Sequence, residues 1–430
     1  MTQSVARVST WREIIGGMTT FFTMAYIVIV NPQILGAEGT GMPASGVLTA
    51  TVLLCFGMTL IMGLYAKLPF AGAPGMGINA FFAYTLVIGR GVPWETALGA
   101  VFWAGVIFLL ASILPIREWI VKSIPLSLRS AAAGGIAVFI LFIGLKNGGV
   151  IQGHPVTLVQ FAGLTFESLM TLLGTAVVLI LMVRFRNPMA SLIGIAVVTA
   201  IAFASGRIAA PSTAVSLPDF ESVFLKLDIM GALQLAIIPS IVSILFTDLF
   251  DSISTFVGVS EATGLVDEEG NPKNLRQGLI VDALGTLGAA VLGTSSGTTY
   301  IESAAGIEAG GRTGLTAVVA ALCFLPCLFF GPLVELVPPY ATAPVLVVVG
   351  ILMFRPVLKL KLSALEELVP VVLTIVLIPL TFSITQGILW GFIAHTGMFV
   401  LVGRHREVPI TMYVLSLLSA GLLVLEASAS

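Results

Sequence analysis

Gly293-Thr-Ser-Ser-Gly-Thr-Thr-Tyr-Ile-Glu302-Ser-Ala-Ala-Gly306 is the stretch that decides the fold. It opens as a run of Gly, Ser and Thr with no helical pattern, then turns helical at an acidic residue. Pro69-Phe-Ala-Gly-Ala-Pro-Gly-Met-Gly-Ile-Asn79-Ala-Phe-Phe-Ala83 does the same in the first half of the chain. Broken backbone at membrane depth is tolerated only where protein or a water-filled cavity satisfies its polar groups. Glycines that merely let helices pack closely explain one such segment easily. They explain two, at matching positions of two halves, poorly, and such a pair is the sequence mark of a transporter's binding site.

The surroundings put both stretches in a membrane. Of 430 residues 57% are hydrophobic and only 10% charged, and the mean hydropathy is +1.07. A soluble chain carries roughly a quarter of its residues charged, so most of this one faces lipid or other helices. A net charge of −2 without a basic patch excludes nucleic acid as a partner. Cys55, Cys323 and Cys327 all lie in apolar runs and read as small hydrophobes. No histidine pairs with a cysteine at metal-ligand spacing, and His395 reads as a packing or interfacial residue. Met1 to Arg12 shows no cleavable signal pattern, so the first apolar segment is expected to be a true span.

Apolar segments long enough to cross a hydrocarbon core are expected near 14–35, 46–67, 74–88, 95–114, 128–146, 166–183, 188–206, 233–258, 275–293, 301–310, 313–334, 341–354, 366–383 and 386–403. An apolar tail, 410–426, reads as interfacial or a partial span. With both termini cytoplasmic, only Arg90, Lys146, Arg207 and Lys226 of the 20 Lys and Arg fall on outside loops, which satisfies the positive-inside rule. The polar stretch 207–228 divides the spans into halves of seven. Seven is odd, so the halves run with opposite topology, as in the inverted repeats of secondary transporters. The expected units are 1–206 (core 1–114, gate 115–206), a linker 207–230, and 231–430 (core 231–339, gate 340–430).

Each break leaves a half-helix whose first N–H groups are unpaired, with Asn79 and Glu302 at the two starts. Most carboxylates lie in loops, but Asp248, Asp251, Asp282 and Glu302 do not. In Ile244-Leu-Phe-Thr-Asp248-Leu-Phe-Asp251-Ser-Ile-Ser-Thr-Phe-Val-Gly258, spacing of three puts both aspartates on one helical face, continued by Ser252 and Thr255. A charge at the centre of a span costs about 3 kcal/mol on insertion scales. Two on one face without a basic partner in that helix therefore imply a polar cavity, where one carboxylate can carry a coupling proton. Glu302, among Ser295, Ser296, Thr298, Thr299 and Ser303, is placed to accept hydrogen bonds from a ligand's N–H groups. Phe81, Phe82, Tyr300, Phe21, Phe22 and Tyr26 are candidates to stack on a planar ring, although packing explains any one of them. Asp282, six residues after Arg276, reads as structural. Glu308 and Arg312 read as a structural cytoplasmic ion pair.

At these residues the chain resembles the azaguanine-type purine permeases of the nucleobase–cation symporter-2 (nucleobase/ascorbate transporter) class. The matching stretches are Gly17-Met-Thr-Thr-Phe-Phe-Thr-Met-Ala-Tyr-Ile27 with Asn31-Pro32, Ala73 to Tyr84, Asp248-Leu-Phe-Asp251-Ser252, and Thr299 to Gly314. The resemblance runs from about 12 to 405. It implies an all-α polytopic protein of fourteen spans in two inverted seven-helix repeats. It implies too that short strands precede helices 3 and 10 and that a core domain moves elevator-like against a gate domain. It also implies that Asn79, Asp248 and Glu302 contact a purine and that Asp251 is associated with the proton; Thr299, Tyr300 and Phe81, beside them in the sequence, are the further substrate-site candidates. A homodimer through the gate domain, a location in the cell membrane and no cofactor other than the coupling ion, with sodium as the competitor of the proton, complete the expectation. Ser252 stands where many relatives are expected to have Thr. An anion carrier of related architecture would want its half-helix ends unopposed by carboxylate. An intramembrane aspartyl hydrolase would draw its two aspartates from different helices. A passive channel would be insensitive to a protonophore.

Overall fold

The computed structural model describes residues 9–114, 124–211, 213–266 and 272–429, without the side chains of 261–262 and 426–429. Of the cations used to orient the chain, Arg7, Arg117 and Lys122 lie outside the described residues. The first repeat begins with α1 (Thr10–Met24) and α2 (Ile27–Leu35), which together make one span, and α3 (Ala44–Ile61). Next come β1 (Gly72–Pro74), α4 (Met76–Ala80, continued by wide π turns over Phe81–Gly89) and α5 (Trp94–Ile113). Then follow α6 (Leu126–Asn147), a hairpin of β2 (Ile151–His154) and β3 (Leu158–Phe161), α7 (Phe166–Val183) and α8 (Ala190–Ala204).

The second repeat contains α9 (Ile238–Thr263), α10 (Leu275–Leu292), β4 (Gly297–Thr299), α11 (Ser303–Glu308) and α12 (Gly314–Phe324). It continues through α13 (Gly331–Glu335), α14 (Pro339–Met353), α15 (Arg355–Leu358), α16 (Leu365–Thr381) and α17 (Ile384–Leu401), and a last helix, α18 (Ile410–Ala429), follows. Among the described residues nine helices are long and apolar enough to cross a membrane, with four shorter apolar helices beside them. One of the four is the broken third span, Met76–Gly89.

The helices sort into two packed groups. One joins α1–α5 to α9–α12: α1 lies on α11 and α12, and α10 on α3 and α5. The other joins α6–α8 to α14, α16 and α17. Small residues let the backbones of the first group close up. A Cβ added at Gly314 would sit 2.0 Å from the Gly63 carbonyl oxygen, and one at Gly297 would sit 2.7 Å from the Gly285 carbonyl carbon. The second approach seats β4 directly on α10.

Several elements differ from expectation for local reasons. The eighth span is a helix over 238–263 rather than 233–258. Pro239 in its first turn sets the start, and Gly264, with φ +71°, ends it. That shift brings Asp248 and Asp251 to the middle of α9. The linker is not a free loop. Ser216 N–H donates to Phe329 O (3.0 Å), Leu225 N–H to Val291 O (2.9 Å) and Asp228 N–H to Glu95 O (2.8 Å), strapping it across neighbouring helix ends. The β2–β3 hairpin was not expected, because its eight strand residues are too few to give a periodic signal. Glu308 and Arg312 do not pair. Arg312 Nη1 donates instead to Thr263 O (2.5 Å), and its backbone N–H, with that of Thr313, goes to the buried Glu13 carboxylate. His395 is buried in α17, its ring centre 4.5 Å from that of Phe399.

Candidate functional site

The two broken stretches meet. β1 and β4, one from each repeat, pair antiparallel with Gly72 opposite Thr299, Ala73 opposite Thr298 and Pro74 opposite Gly297. Gly75 N–H to Ser296 O (3.0 Å) and Tyr300 N–H to Ala71 O (3.0 Å) extend the pairing. A sheet edge without water needs other partners, and hydroxyls supply them. Thr59 Oγ1 accepts from Gly72 N–H (3.0 Å), and Ser303 Oγ accepts from Ala71 N–H (3.0 Å). Thr286 donates to Gly297 O (3.0 Å) and Tyr300 to Pro74 O (2.5 Å). This is the physical use of the Ser/Thr-rich sequence.

Beside the strands lies a cavity of about 60 Å³, room for several waters. Tyr26, Asp251, Thr255, Thr298, Thr299 and Glu302 give it a polar wall, all from the first helix group. Val349, Leu352 and Met353 of α14 give it an apolar wall from the second. A smaller void, of about 10 Å³, lies against Gly75, Gly77 and Ile136, and Asp251 borders both. The Tyr26 hydroxyl donates to Glu302 Oε1 at 2.7 Å. Tyr26 reaches it because the first span breaks at Ala25–Tyr26, between α1 and α2.

Of the expected site residues, Glu302, Asp251, Thr299 and Tyr300 face this cavity, while Asp248, Asn79 and Phe81 do not. Three residues along a helix leave two side chains about 60° apart around its axis, enough to divide the aspartates. Asp248 is turned toward α10, where its Oδ2 lies 2.5 Å from the same Thr286 hydroxyl, and its Oδ1 has no partner among the described residues. Asp282 is fully buried and accepts from Thr299 Oγ1 at 2.5 Å, pinning β4 from behind. Asn79 is likewise buried and accepts a hydrogen bond from Ser295 of the other repeat. Phe81 is packed in the core. The sequence places Thr255 on the α9 polar stripe and marks Tyr26 only as a stacking candidate. Met76, also on the cavity, carried no polar signal at all. The expected half-helix beyond Glu302 is short, only Ser303–Glu308, so side chains rather than a long helix dipole define the site.

A family model for permeases (Xan_ur_permease) matches residues 12–390. The adenine permease AdeP of Escherichia coli K12 is 42% identical over 407 residues, covering 94% of this chain and 91% of its own. The guanine/hypoxanthine permease PbuO of Bacillus subtilis 168 is 38% identical over 416 residues, covering 95% of each. Among solved structures, the transmembrane domain of the cyanobacterial bicarbonate transporter BicA superposes with a TM-score of 0.64 at 18% identity, over 88% of this chain and 96% of that one. That likeness shows the fold: seven plus seven inverted spans in core and gate domains. The chain thus belongs to the permease family of the nucleobase–cation symporter-2 class and is a membrane transporter, not an enzyme.

Proposed function

We propose that the chain is a proton-coupled symporter that imports purine nucleobases such as hypoxanthine, guanine or adenine by elevator-type alternating access. One observation carries the reading: the cavity's hydrogen-bonding side chains belong wholly to one helix group, and the other group lends it only apolar ones. A base held by Glu302, with Thr298 and Thr299 near it, can travel with the core across a gate surface that makes no directional bonds to it. The names of the relatives, an adenine permease and a guanine/hypoxanthine permease, support a purine as the cargo.

Asp251 is the proton carrier in this scheme. It shares the cavity with Glu302, and two charges at membrane depth are costly. A proton taken up with the base cancels one of them and favours the occluded core, so coupling follows from differential affinity of the two states. Asp248 and Asn79 then serve the base indirectly, by holding β4 and joining the repeats. Sodium is the competing coupling ion, and uracil, xanthine or an anion the competing cargo. Two cavity-facing carboxylates oppose an anion. The moving body is assigned to 1–114 and 231–339, in a homodimer joined through the gate in the cell membrane.

The test is uptake of radiolabelled hypoxanthine, adenine, guanine, xanthine and uracil by cells expressing the chain, with and without a protonophore, in sodium and sodium-free media. Purine uptake that collapses with protonophore and ignores sodium is expected. Uptake of xanthine or uracil alone, or uptake unaffected by protonophore, overturns the reading. Glu302→Gln should lose purine uptake at unchanged membrane abundance.

A further inference from the structure

We propose that Tyr26 is a specificity-determining residue, setting which donor edge a base can present to Glu302. The inference rests on the reading of Glu302 as the substrate carboxylate. Tyr26 sits at the break in the first span, 1% exposed, and its hydroxyl spends its proton on Glu302 Oε1 at 2.7 Å. The second oxygen, Oε2, has no side-chain partner among the described residues. An ionised carboxylate with both oxygens free takes two parallel N–H donors at once. With one of the two lone-pair sites of Oε1 taken by Tyr26, Oε2 is the oxygen left whole for a ligand.

That arrangement suits a base offering one donor beside an acceptor. On the edge of the six-membered ring, hypoxanthine offers one N–H next to its carbonyl, and adenine an amino group next to a ring nitrogen. Guanine carries a ring N–H and an amino N–H side by side, the paired edge that a free carboxylate would grip. Tyr26 thereby competes with guanine for the second oxygen that Glu302 could otherwise offer it in full. Tyr26 acts through Glu302, so it is a positioning residue, and its signature is selectivity in apparent KM rather than a general loss of rate.

Tyr26→Phe keeps the ring and removes the hydroxyl. The measurement is inhibition of labelled hypoxanthine uptake by unlabelled guanine and by adenine, read as a ratio on the same cells so that abundance cancels. The variant should improve guanine relative to adenine by about 5- to 10-fold, the worth of one hydrogen bond of ordinary net strength. Tyr26→Leu, which also lacks the hydroxyl, carries the same expectation if the Phe variant does not reach the membrane. An unchanged ratio overturns the inference, as does equal loss of all bases at normal abundance. If the unaltered chain takes up no purine, the purine reading itself falls, and this inference with it.

Discussion

Thr286→Val tests how the site is held. The threonine hydroxyl lies within hydrogen-bond distance of both Asp248 Oδ2 (2.5 Å) and Gly297 O (3.0 Å), its single proton shared between them, and so ties α9 and β4 to α10. Valine keeps the shape and removes both. Interhelical hydrogen bonds in membrane proteins are worth only about 0.6 kcal/mol on average. The larger cost comes from what remains: a buried acceptor without a partner costs about 1–3 kcal/mol. Asp248 Oδ1 already lacks one, so the substitution strips that side chain of its hydrogen bonds in the described structure. The sum is roughly 2–3 kcal/mol, enough to shift a folding or conformational equilibrium by tens-fold to about a hundredfold. Thermal unfolding of the detergent-solubilised protein, followed by size-exclusion chromatography, should show a clear fall for Thr286→Val and recovery in Thr286→Ser. A valine variant as stable as the parent, with equal uptake, refutes the claim that the hydroxyl and Asp248 hold the strand.

Three further outcomes follow. Gly314→Ala puts a methyl group 2.0 Å from the Gly63 carbonyl oxygen, a backbone clash that must push α12 away from the end of α3. Overpacking of this kind costs about 1–3 kcal/mol or more, read as loss of monodisperse protein, whereas Gly397→Ala, which meets nothing within 4 Å, should be silent. Asp251→Asn should retain base binding, measured by calorimetry, yet lose the dependence of uptake on the proton gradient; a variant that still concentrates base against its gradient contradicts the assignment. Asp219 in the linker is held below the usual carboxylate range by the Ser222 hydroxyl first, then by Ser45 and the Ser222 and Glu221 N–H groups. A depressed folded-state pKa contributes stability that is present above the unfolded value, about 3.9, and lost as pH falls through the folded one. Asp219→Asn should therefore lower thermal stability near pH 6, with the difference from the parent closing as the pH drops below 4.

How far the sequence could be read depended on whether a feature was a pattern or a direction. The breaks at 69–83 and 293–306 announced themselves through Gly, Pro, Ser and Thr inside apolar surroundings, and the pair of strands follows from them. Glu302 and Asp251 were visible because carboxylates at membrane depth are rare. Which way each aspartate points was not visible. Asp248 and Asp251 share a face at the resolution of a helical wheel, and only the position of Thr286 on α10 draws one of them away from the cavity. The bond between Asn79 and Ser295 joins residues far apart in the chain, a proximity that spacing does not encode. The linker's role as a strap was hidden because it depends on backbone bonds to helix ends, which any sequence can make. The tail carried no motif, and its packing on α17 shows only in the register of Met412 and Ser416 against Thr396 and Phe392.

The most direct test of the account uses purified protein in liposomes carrying an internal pH dye. Adding hypoxanthine, adenine or guanine outside, with no imposed gradient, should acidify the lumen, and Glu302→Gln or Asp251→Asn should abolish the signal. Purine entry without proton movement, or acidification that survives both substitutions, contradicts it.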